Sequence, residues 1–245
     1  MKFNTISKNT NKFFRNLRYT LYIKYFLTDK KKIFETKNLS PLDNPLTISM
    51  NKFYSDKGDS NNTHNYTKLY DALFNSIKNN KLSIFEVGLG SVDENVNFHM
   101  KHSNKNYTPL ASLKAWREYF INSEIYGADI DHKIIQNFEK IKTFQVDMMN
   151  RNSILEMWDK IEKKMDIIID DGFHSFEANT TFFENSYGNL NYNGYYIIED
   201  IHRKPSNIKK FYYFFKKRKI NFQIIDLPHK NNINDNCLII IKKNN

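Results

Sequence analysis

Short apolar runs alternate with amphipathic stretches through most of this 245-residue chain, and that alternation limits the folds open to it. The run at 82–87 ends in Gly88-Leu89-Gly90 and reads as a buried strand followed by a tight turn. Further strands are expected at 124–130, 143–146, 166–169 and 195–198, with Gly194 in the turn before the last of these. Helical spacing appears at 66–79, 112–120, 132–140, 154–164, 177–190 and 207–219. The closing runs 222–227 and 237–242 have no helix between them, so they can pair as an antiparallel hairpin. The expected fold is α/β: a doubly wound, seven-stranded, mostly parallel sheet with a C-terminal antiparallel hairpin.

In such sheets ligands sit outside the carboxyl ends of the strands, so the residues ending each strand carry the functional argument. Glu86-x-Gly88-x-Gly90 ends the first; glycines there let the backbone approach a ligand closely. Asp93 stands where a dinucleotide fingerprint has its third glycine, which counts against NAD. Asp129 ends the second strand, where a carboxylate can hold a ribose diol. Asp147 ends the third and is placed to bond an adenine amino group, or else to cap the next helix. Asp170-Asp171-Gly172-Phe173-His174 and Glu199-Asp200 end the fourth and fifth. Asp171, Glu199 and Asp200 at one mouth would repel unless protonated or bridged by a cation, and hard oxygen ligands suit Mg²⁺, Mn²⁺ or Ca²⁺ rather than zinc. His174, beside them, is a natural base for a hydroxyl proton near neutral pH.

The 37 Lys+Arg and 27 Asp+Glu give a net charge of +10, and its distribution matters more than its size. Residues 1–45 carry +7 and residues 201–230 carry +8, whereas 46–200 carry −6. An acidic body thus lies between basic, aromatic flanks. The division expected is a basic extension over 1–45, of one or two short helices ending near the turn signals Pro41, Asp43, Asn44 and Pro45, and a catalytic domain over 46–245, with 91–109 as an acceptor-side insert containing His99 and His102. No apolar run approaches the roughly 20 residues of a membrane span, and the N-terminus does not read as a secretory signal. Cys237 is the single cysteine, so there is no intramolecular disulfide. A cytoplasmic location is expected, with the flanks open to peripheral membrane contact or to packing on a second subunit.

The strand-end pattern Glu86-x-Gly88-x-Gly90, Asp129, Asp147, Asp170-Asp171 and Glu199-Asp200 resembles a class I S-adenosylmethionine-dependent methyltransferase of Rossmann-like fold. More narrowly, the chain resembles the sugar O-methyltransferases of macrolide tailoring and their surface-polysaccharide relatives. The residues that carry this are Ser55-Asp56-Lys57-Gly58 with His64-Asn65-Tyr66 and Tyr70, then Asp170 to His174, then Gly194-Tyr195-Tyr196-Ile197-Ile198-Glu199-Asp200-Ile201. The stretch from Ala111 through Trp116 and Tyr126 to Asp131 adds to it, and the resemblance covers about residues 50–245. It implies methyl transfer from S-adenosyl-L-methionine to a sugar or nucleotide-sugar hydroxyl, as in capsule polysaccharide biosynthesis. It implies Asp171, Glu199 and Asp200 on a divalent cation such as Mg²⁺, and His174 as the base. Lys57, His64 and Tyr66 are implied at the cofactor entrance, with Glu86, Gly88, Gly90, Asp129, Asp147 and Asp170 along the cofactor. Phe173 departs from the small polar residue usual at its position, and the insert has no clear counterpart. The basic flanks suggest a nucleic-acid methyltransferase as the competing enzyme, but no RNA module is recognisable. Intact acids at every strand end argue against a non-catalytic interaction module.

Overall fold

A computed structural model describes residues 2–26, 33–59, 64–91, 106–227 and 229–244. Its centre is one seven-stranded sheet: β1 (Ser83–Val87), β2 (Glu124–Asp129), β3 (Ile141–Gln145), β4 (Met165–Asp170), β5 (Leu190–Ile198), β6 (Phe222–Asp226) and β7 (Cys237–Lys242). The strand order is β3-β2-β1-β4-β5-β7-β6. The first five strands pair in parallel, and β7 inserts antiparallel between β5 and β6. The order reverses between β1 and β4, which makes their carboxyl ends the ligand crevice of a doubly wound sheet.

Side-chain alternation divides the core into two layers. Phe85, Ile168, Tyr196, Ile198, Ile239 and Ile241 face one side, under α5 (Arg151–Ile161), α6 (Phe176–Ser186), α7 (Pro205–Lys217) and part of α1 (Lys2–Phe26). Ile84, Ile167, Ile169, Ile197 and Ile240 face the other, under α2 (Pro45–Lys52), α3 (Thr67–Phe74) and α4 (Ala111–Tyr119). Both faces are covered, which is why the central strands are continuous apolar runs rather than alternating ones.

Four local expectations change. The helix expected over 132–140 is a single 3₁₀ turn, His132–Ile134. Beyond it the Thr143 hydroxyl accepts from Gln136 N (2.8 Å) and donates to Gln136 O, while Thr143 N donates to Asn137 Oδ1. These local bonds take the partners a helix would need. Gly194 lies inside β5 rather than before it, and a Cβ there would sit 2.8 Å from Asp166 O. The basic segment expected as one or two short helices forms one 25-residue helix, α1. Finally, α2 starts where only a turn was expected. Asn44 caps it by accepting from Thr47 N (2.8 Å), and Pro45 fills the first turn, where its missing N–H costs nothing. The insert expected at 91–109 lies mostly outside the described residues, His99 and His102 included.

Candidate active site

The sheet ladder runs past the strand ends and sets the site. Gly88 N donates to Ala128 O, Asp171 N to Val87 O, and Glu199 N to Asp170 O, each at 2.9 Å. The residues just beyond β1, β4 and β5 are therefore neighbours. Gly88 and Gly90 hold left-handed backbone (φ 91° and 83°). At Gly88 a Cβ would meet Asp171 O at 2.0 Å, so only glycine lets these two strand ends close.

Alternation then sorts the acids. Glu86 and Glu199 fall on the face covered by α3 and α4, where Trp116 Nε1 donates to Glu86 Oε2 and the Tyr70 hydroxyl donates to Glu199 Oε1. Lys57, from the loop after α2, brings its Nζ into the same space, 2.5 Å from both Asp171 Oδ2 and Glu199 Oε2 and 3.6 Å from Glu86 Oε1. Burial opposes the charge on Lys57, but Asp171, Glu199, Glu86 and Asp56 outweigh it and hold the ammonium well above its usual range. Burial pushes the Asp171 carboxyl up to about 7, opposed by Lys57 and seconded by Asp200. Burial also lifts the Tyr66 and Tyr70 hydroxyls, helped by Asp200 and Glu199 respectively, so both remain donors.

On the open side of Lys57, three groups converge. His174 Nε2 lies 3.5 Å from Asp200 Oδ2 and 4.0 Å from Asp171 Oδ1. One ligand atom from each of Asp171, His174 and Asp200 falls within a 4.8 Å span. Two carboxylate oxygens and an imidazole nitrogen at that spacing fit a divalent cation. Both His174 (φ 52°) and Asp200 (φ 53°) hold left-handed backbone, uncommon for residues with a Cβ and often found at functional sites. Asp200 is braced from behind by the Tyr66 hydroxyl (2.5 Å) and by His64 Nδ1 (3.5 Å). Its carboxyl sits below the usual range: burial works against ionisation, but His64 and His174 outweigh it.

The other predicted residues separate. Asp129 holds the glycine turn, accepting from Leu89 N (2.6 Å) and Asp131 N (3.0 Å). Asp170 faces the α6 side, opposite to Asp171, and burial raises its carboxyl to about 6. Asp147 accepts from Met149 N (2.9 Å) and lines a cleft of about 490 Å³ with Ile130, Phe144 and Ser153. That cleft lies at the β3 edge and includes none of the clustered carboxylates. Glu199, expected beside Asp171 and Asp200, is engaged by Lys57 and Tyr70 instead. Lys57 and Tyr66, expected at a cofactor entrance, stand within the acid cluster as its counter-charge and its brace. Trp116 and Tyr70 as carboxylate donors are not readable from spacing, because their partners lie on distant strands.

No protein-family model matches the chain. Over 141 residues, 56% of the chain, it is 29% identical to the 8-demethyl-8-α-L-rhamnosyl tetracenomycin-C 2′-O-methyltransferase of Streptomyces olivaceus, covering 33% of that protein. It is 30% identical over the same length to the mycinamicin VI 2″-O-methyltransferase of Micromonospora griseorubida, covering 32% of it. The chain thus spans about a third of the length of these relatives. Its structure matches that of the MycE methyltransferase from the mycinamycin biosynthetic pathway, solved with Mg, SAH and mycinamycin VI. The TM-score is 0.62 at 20% identity, over 84% of this chain and 56% of that one. The strand order, the glycine turn and these likenesses together make the chain a relative of O-methyltransferases, built on the class I S-adenosylmethionine-dependent methyltransferase fold.

Proposed function

We propose that the chain transfers a methyl group from S-adenosyl-L-methionine to a hydroxyl of a sugar, free, nucleotide-linked or part of a surface polysaccharide, with a divalent cation, Mg²⁺, at the acceptor site. The observation that carries this reading is the convergence of Asp171, His174 and Asp200 beside the Gly88 turn. It is supported by a relative whose name specifies a rhamnosyl 2′-O-methyltransferase and by a structural neighbour solved with Mg and SAH.

When bound, S-adenosylmethionine supplies an electrophilic methyl group and the cation supplies positive charge for an acceptor hydroxyl. The chain does the positioning. Gly88 and Gly90 let the backbone approach the cofactor, and Glu86 offers Oε1, a buried oxygen without a hydrogen-bond partner among the described residues. Asp129 keeps the turn in place, and Asp147 would receive the base end of the cofactor. Asp171 and Asp200 would hold the cation; Glu199 fixes Lys57 behind them. His174 Nε2, on the solvent side, takes the hydroxyl proton.

The test is a screen of free sugars, nucleotide sugars and glycosides with S-adenosylmethionine, following S-adenosylhomocysteine release with Mg²⁺ and with chelator. Release that depends on both a sugar and Mg²⁺ supports the reading. Equal release with chelator overturns the cation's part, and no sugar-dependent release overturns the whole.

A further inference from the structure

The catalytic reading leaves α1 unused. Its sequence carries six Lys/Arg and no acidic residue. One face is anchored: Ile23 is buried in the core, and Asn16 and Thr20 accept from the buried Arg203. The neighbouring face leaves Phe13 (63%), Phe14 (60%), Leu17 (44%) and Leu21 (59%) exposed. Phe13, Leu17 and Leu21 recur at four-residue steps, and Phe14 lies three before Leu17, so the four form one stripe along the helix. The exposed Arg18 and Lys24 border it. α1 packs on α7, which adds the exposed Lys209, Lys216 and Lys217 and the exposed Tyr213.

We propose that this surface docks the protein on an anionic lipid bilayer, with the Phe13–Leu21 stripe entering the headgroup boundary and the lysines and arginines on lipid phosphates. A large apolar stripe bordered by cations on a helix anchored to the body is the pattern of an interfacial helix. No helix among the described residues is long and apolar enough to cross a membrane, so the contact is peripheral. Charge argues against the other occupants. A second copy would bring one all-basic helix against another. Nucleic acid would meet the cations but leave four large apolar side chains without a role.

The experiment is co-sedimentation of the full chain with vesicles of phosphatidylglycerol and phosphatidylcholine, and with vesicles of phosphatidylcholine alone. Binding should be at least tenfold stronger to the anionic vesicles and should weaken with added salt. Leu17→Ser with Leu21→Ser, and separately Arg18→Glu with Lys24→Glu, should each reduce it at least tenfold. S-adenosylmethionine binding and the thermal melt should be unchanged in both variants, since these side chains are exposed and outside the site. Equal binding to both vesicle types, or unchanged binding by both variants, overturns the proposal. So does a concentration-dependent dimer in light scattering that the Leu17→Ser/Leu21→Ser variant abolishes, since the stripe is then a subunit contact.

Discussion

Lys57 puts one positive charge against three carboxylates in a space nearly closed to water. Removing one partner of a buried ion cluster leaves the rest uncompensated, typically at a cost of about 3–5 kcal/mol. Lys57→Met, which keeps most of the volume, should therefore lower stability by about that much in urea unfolding. Its Asp171 and Glu199, freed of the ammonium, should give the variant a larger Mg²⁺-induced rise in melting temperature than the parent chain. His174 raises a different question, because the same Nε2 is placed either to take a proton or to join a cation. As the base, His174→Ala should lower turnover by about 10²–10⁴-fold. The loss should persist at saturating Mg²⁺, with cofactor affinity in calorimetry nearly unchanged. Recovery on raising Mg²⁺ would make His174 a ligand instead. The motif around His174 was legible from its types and spacing. The role of Lys57 was not, since its three partners come from β1 and from just past the ends of β4 and β5, at least 29 positions away in sequence.

At the scale of the element, the turn after β1 joins backbone conformation to the site. Gly88→Ala would combine a strained left-handed φ with a Cβ driven into Asp171 O. A loss of roughly 2–4 kcal/mol is expected, together with weaker Mg²⁺ binding because the end of β4 must move. Gly188→Ala is the control: nothing among the described residues lies within 4 Å of the added Cβ, so denaturant midpoints should barely change. Most elements were legible because period-2 and period-3.6 patterns are local properties. The 132–140 stretch was misread because the bonds that replace its helix come from Thr143, in a strand whose edge position the pattern does not show. α2 was missed although Asn44 and Pro45 announce it; in a chain this rich in asparagine they read equally well as a turn.

At the scale of the whole molecule, Arg203 links the two basic flanks. All its donors are used: two bonds to Asp226 (2.7 and 2.8 Å), others to Asn16, Thr20 and Ile233 O. Arg203→Met should cost about 3–5 kcal/mol by leaving the half-buried Asp226 carboxylate without its partner. Asn16→Ala with Thr20→Val removes only the α1 side of the network. That variant should speed amide exchange in α1 while leaving β4 and β5 protected, as measured by hydrogen exchange. If β4 and β5 exchange faster as well, α1 is part of the cooperative core rather than an arm held on it.

The sequence by itself determined the layer architecture, a mostly parallel sheet closed by an antiparallel pair, and the acids at the strand ends, because each depends on hydrophobic period and on a residue's place relative to its own strand. Tertiary structure decided how those acids are used. Alternation turns Asp170 and Asp171 to opposite faces, a loop residue supplies the cation between Asp171 and Glu199, and a buried arginine fixes the N-terminal helix to the body. Charge balance in a buried site depends on groups brought together across the sheet, and separation along the chain carries no record of those distances.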